Sequence, residues 1–90
     1  MHLHGPFQEL TENRALTPGL WHELPCGLIC KLYSRRDWIN AYLDFRLICP
    51  QEMNITETET DMRAQVGKQV VELTCNSSLC LLTISHAVDA

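Results

Sequence analysis

The chain has no apolar run near the roughly 18 residues that a membrane-spanning helix needs. Its opening, Met1-His2-Leu3-His4-Gly5-Pro6, has no basic segment followed by an apolar one, so it does not read as a secretory signal. These two absences set the expectation of a cytoplasmic protein with no membrane partner. There is no Gly-rich phosphate loop, no Gly-x-Ser-x-Gly elbow and no His-Glu-x-x-His helix, so no motif fixes a catalytic residue. The reading leans away from an enzyme and assigns no cofactor. Positive charge is also scarce. Seven Lys and Arg stand against eleven Asp and Glu, for a formal charge of −4. An acidic domain is poorly suited to hold a polyanion by bulk electrostatics, so nucleic acid is disfavoured as a partner.

What is present suits one small domain spanning 1–90. Apolar residues make up 46% and charged residues 20%, which is ordinary for a globular chain and wrong for disorder. Five cysteines, Cys26, Cys30, Cys49, Cys75 and Cys80, form an odd set. Without a secretory signal they are expected to be reduced and to act as small buried hydrophobes. Cys26/Cys30 and Cys75/Cys80 have spacings that a zinc site could use, with His2, His4, His22 and His86 as further ligands. Core-facing positions for Cys30, Cys75 and Cys80 argue against it, and no metal is assigned. In an oxidising compartment, Cys75 and Cys80 would be placed to form a cross-strand disulfide. The sequons Asn54-Ile55-Thr56 and Asn76-Ser77-Ser78 would also matter only there.

The organising stretch is Ile39 to Leu47, where every odd position is apolar and Asn40, Asp44 and Arg46 are polar. Such alternation predicts a strand with one face in a core. Paired with Gly27 to Tyr33 across Ser34–Asp37, it predicts a first hairpin over 27–49. In that register Leu32 faces Ile39, Cys30 faces Ala41 and Leu28 faces Leu43. Residues 1–25 are read as helical or irregular, with Pro6 to Leu16 as a short helix and a further turn from Leu20 to Leu24 that Pro25 ends. Thr/Glu alternation over 54–61 suits either an edge strand or a solvated loop.

A second hairpin is predicted over 66–86, with Cys75 opposite Cys80, Leu73 opposite Leu82 and Val71 opposite Ile84. Val66 to Leu73, with Asn76, Leu79-Cys80 and His86 to Asp89, resembles the first strands of an Sm-like RNA-binding fold. Leu81 and Leu82 stand where that family has glycine, so the resemblance implies a hairpin and carries no residue roles.

The expected fold class is therefore α+β, mostly β. A short N-terminal helical segment packs on a four- to five-stranded antiparallel sheet or a small, partly open barrel. The expected function is a small non-enzymatic interaction module that self-associates as a homodimer, or meets another protein, through the outer face of the first hairpin. That face would carry Ile29, Lys31, Tyr33, Arg35, Arg36, Trp38, Tyr42 and Arg46. Two other readings use the same chain. In one, a nucleic acid or small ligand stacks on those aromatics while the bases read phosphate. In the other, one reactive cysteine makes the domain an enzyme.

Overall fold

The computed structural model describes residues 16–25, 27–51, 55–58 and 61–86. The predicted Pro6 to Leu16 helix lies almost wholly outside them, as do Cys26 and Asn54. Six strands form one sheet: β1 (Trp21–Glu23), β2 (Ile29–Ser34), β3 (Ile55–Glu57), β4 (Asp61–Val66), β5 (Gln69–Cys75) and β6 (Leu79–His86). Their spatial order is β1-β2-β6-β5-β4-β3, and every neighbouring pair is antiparallel. The single described helix, α1 (Trp38–Ile48), follows a 3-10 turn at Arg35–Asp37 and lies across one face of the sheet. The result is a mostly-β α+β domain. Its sheet stays open, because β1 and β3 occupy opposite edges.

The second hairpin forms in the predicted register: Cys75 pairs with Cys80, Leu73 with Leu82 and Val71 with Ile84. Its turn is closed by Asn76, whose side-chain oxygen accepts the backbone N–H groups of Ser78 and Leu79, each at 2.8 Å. This is the local capping role that favours Asn in tight turns. Residues 55–57 resolve as a short edge strand against β4. β4 itself was not anticipated, although Met62 and Ala64 are buried while Asp61, Arg63 and Gln65 are exposed. Gly67, at φ 61°, supplies the left-handed backbone that joins β4 to β5.

The first predicted hairpin does not form. Residues 38–48 are helical, and β2 pairs instead with β1 and β6. The alternation at odd positions is the sum of two helical ladders. Ala41, Phe45 and Cys49 recur every four residues and are buried against the sheet. Ile39, Leu43 and Leu47 recur at the same spacing and face outward. At 100° per residue the two ladders lie nearly opposite each other on the helix, and interleaved in sequence they mimic a strand. Composition favours the helix, since Ile39 and Ile48 are the only β-branched residues between Trp38 and Ile48. Pro50 bars continuation beyond Cys49, whose N–H reaches the Phe45 carbonyl at 2.8 Å.

The N-terminal expectation also changes. Instead of a helical turn, Leu20 to Leu24 contains strand β1, and a tight turn leads into β2. The Gly27 N–H donates to the Leu24 carbonyl at 2.9 Å, with Pro25 inside the turn and Gly27 at φ 84°. Pro25 therefore starts a hairpin rather than ending a helix. The face of the sheet away from α1 buries Cys30, Leu32 and Leu81, with Leu16, Leu24 and Leu28 packed over them.

These positions separate a helix from a strand. A strand would put Leu43 in the core, whereas the helix exposes it. Chemical denaturation is expected to show Phe45→Ala costing about 3–5 kcal/mol, while Leu43→Asn stays within about 1 kcal/mol. Comparable losses at both sites would contradict the helix.

Candidate functional site

The outward ladder of α1 is the most exposed apolar feature among the described residues. Ile39, Leu43 and Leu47 are 55%, 52% and 79% exposed, and Trp38 at the start of the helix is 47% exposed. The ladder forms a ridge between two grooves. On one side lies a groove of about 600 Å³ bounded by Pro18, Gly19, Lys31, Asn40, Asp44 and Leu47. On the other lies one of about 480 Å³ bounded by Trp38, Ile39, Tyr42, Asp61, Met62 and Cys75. Leu43 borders both. Asn40, Asp44 and Leu47, which make an incoherent side for a helix packed on all faces, are the wall of the first groove.

A polar clamp fixes the helix beside that groove. Lys31 on β2 places its Nζ 3.0 Å from Asp44 Oδ2 on α1. The Tyr33 hydroxyl donates to the same carboxylate oxygen. The Lys31 ammonium also lies 5.5 Å from the Trp21 ring and 5.3 Å from the Tyr33 ring, so aromatic faces flank it. Burial works to raise the Asp44 carboxyl, but the hydrogen bonds from Tyr33 and Lys31 and the charge of Lys31 outweigh it. The group therefore stays ionised below its usual range. Burial first, then the bond to Asp44 and its charge, push the Tyr33 hydroxyl far up, which keeps it a donor.

The eight residues expected on one hairpin face are distributed over three elements. Ile29, Lys31 and Tyr33 lie on β2, where Tyr33 is buried and Ile29 pairs with Ile84. Arg35 and Arg36 occupy the 3-10 turn. Trp38, Tyr42 and Arg46 follow one another at helical spacing along a flank of α1, with Arg46 Cζ 6.0 Å from the Tyr42 ring. The structure thus brings Lys31 and Tyr33 together, and separately Trp38, Tyr42 and Arg46. Ile39, Leu43 and Leu47 were expected in the core and not at the surface. Their signal was the four-residue spacing hidden inside the alternation.

Of the cysteines, Cys75 and Cys80 are joined as a disulfide, while Cys30 and Cys49 are buried thiols. Burial raises both thiols, so neither has the thiolate character of a nucleophile; at Cys49 the Arg46 charge opposes that rise without reversing it. Among the described residues no group of three or more His, Cys, Asp or Glu is placed to hold a metal ion. No described helix is long and apolar enough to cross a membrane. No family model matches the chain, and neither the curated proteins nor the solved structures yield a match.

Because the folded Asp44 carboxyl ionises below its unfolded value, its contribution to stability is fully present above about pH 4. It is lost as pH falls through the folded value. Asp44→Asn is therefore expected to melt below wild type at pH 7, with a deficit of about 1–2 kcal/mol that shrinks towards pH 2. A deficit independent of pH would remove the clamp from the account.

Proposed function

We propose that this domain is a non-enzymatic interaction module whose occupant is a second copy of itself, docked on the outer ridge of α1. The supporting observation is the ridge of Ile39, Leu43 and Leu47 set between two grooves on one surface. A two-fold interface requires one patch to be complementary to itself. A ridge beside a groove meets that requirement, because each copy can seat its ridge in the groove of the other.

The ridge alone is small. From Ile39 to Leu47 the helix axis advances about 12 Å. A stable interface needs about 800 Å² from each partner, so Trp38 and the groove walls must take part. The expected dissociation constant is on the order of 10–100 µM. Nucleic-acid or small-ligand binding on the aromatic and basic residues receives less support. The Lys31 charge is matched by Asp44 and Tyr33 is buried, which withdraws a phosphate reader and a stacking ring. The cytoplasmic assignment remains part of the proposal, on the grounds of the odd cysteine count.

Sedimentation velocity from about 5 to 300 µM spans the expected range. Wild type should shift from monomer towards dimer, and Leu43→Asp with Leu47→Asp should stay monomeric at an unchanged melting temperature. A wild-type monomer at every concentration would defeat the reading.

A further inference from the structure

The Cys75–Cys80 bond has two unlike sulfurs. Cys80 is fully buried near the start of β6, in the core cluster that includes Ala41 and Phe45 of α1. Cys75 is half-buried at the end of β5 and borders the second groove, beside Trp38, Tyr42 and Leu43. A thiol arriving through that groove can therefore reach Cys75 and is screened from Cys80. The buried sulfur also has a cation beside it. Arg35, on the 3-10 turn, places Nη1 3.9 Å from Cys80 Sγ and lines the same groove. Its turn is tied to the hairpin, since the Arg35 N–H donates to the Ser78 carbonyl at 2.9 Å. Thiol–disulfide exchange needs an accessible sulfur to attack and a second sulfur that leaves readily as a thiolate. A guanidinium beside the leaving sulfur stabilises that thiolate.

We propose that Cys75–Cys80 is a thiol–disulfide exchange site with a fixed direction, reduced by a dithiol that enters the second groove. The attacking thiolate forms a bond to Cys75 Sγ and breaks the Cys75–Cys80 bond. The electron pair departs on Cys80 Sγ beside Arg35. The second thiol of the dithiol then attacks its own sulfur in the mixed disulfide and releases Cys75 as a thiolate, which takes a proton from solvent. The dithiol leaves as a disulfide, having passed two electrons to the protein. Glu57 and Asp61 border the same groove, so a neutral dithiol meets less repulsion there than an anionic one. The proposal goes beyond self-association and is read on the monomer. In a reducing compartment, disulfides that do occur are characteristically transient.

The test uses the oxidised full chain. Brief exposure to glutathione, acid quenching and alkylation are followed by peptide mapping of the glutathione adduct. Separately, the rate of reduction by dithiothreitol is compared for wild type, Arg35→Lys, Arg35→Ala and Arg63→Ala, the last removing an exposed cation elsewhere. The expected result is an adduct on Cys75, a rate about three- to tenfold lower in Arg35→Ala, and near-wild-type rates in Arg35→Lys and Arg63→Ala. Circular dichroism establishes that each variant is folded. If Arg35→Ala does not fold, Arg35→Lys and the mapping of wild type decide. An adduct on Cys80, a folded Arg35→Ala as fast as wild type, or reduction only at denaturant concentrations that unfold the chain would each overturn the proposal.

Discussion

The burial of Phe45 is the constraint on which most of the structure depends. This ring is fully enclosed between α1 and the sheet, with Ala41 one turn before it and Cys49 one turn after it. Ala41 has only a methyl group, so the helix axis can sit close to the strands, and Phe45 fills the space that opens beyond it. Once this ladder is committed inward, helical geometry turns Ile39, Leu43 and Leu47 to the opposite side. The exposed ridge is therefore a direct consequence of how the helix is anchored. The Lys31–Asp44–Tyr33 clamp adds a second point of attachment and limits rotation of α1 about its own axis.

Each apolar element has a defined place around that anchor. The sheet buries residues on both faces: Val71, Leu73 and Leu82 towards α1, and Cys30, Leu32 and Leu81 away from it. The helix covers one face, and residues that include Leu16, Leu24 and Leu28 pack over part of the other. The short edge strands leave β1 and β3 with little free backbone, which limits edge-to-edge pairing.

The sequence was most legible where local pattern and long-range pairing agree. In β5 and β6, alternating Val71, Leu73, Cys75 and Cys80, Leu82, Ile84 meet across an Asn-led turn, and a one-residue slip would oppose mismatched faces. Legibility failed between Ile39 and Leu47 because a helix with two opposed apolar ladders carries the period of a strand. Propensity was the overlooked arbiter, since Ala, Leu and Arg fill positions where a buried strand favours Val, Ile and Thr. Pro25 misled for a related reason, as the same residue can end a helix or start a turn, and Gly27 beside it favours the turn. Met62 and Ala64 alternate with exposed Asp61, Arg63 and Gln65, but so short a run beside an acidic tract carries a weak strand signal. The candidate site was accordingly visible as residues and not as a place. Trp38, Tyr42 and Arg46 belong together, while Tyr33 belongs to the core.

The position of β6 has a consequence in time. It lies between β2 and β5, yet it is the last of the six strands to be synthesised. Until it emerges, β2 has only the three-residue β1 to pair with, while β3, β4 and β5 can already form a meander. Ile29 must then find Ile84, and Ser34 must find Leu79, across the whole intervening chain. Closing such a span costs chain entropy before any non-local contact repays it, which slows folding. The β3–β5 meander and α1 would thus wait as separate pieces, and insertion of one central strand would join them.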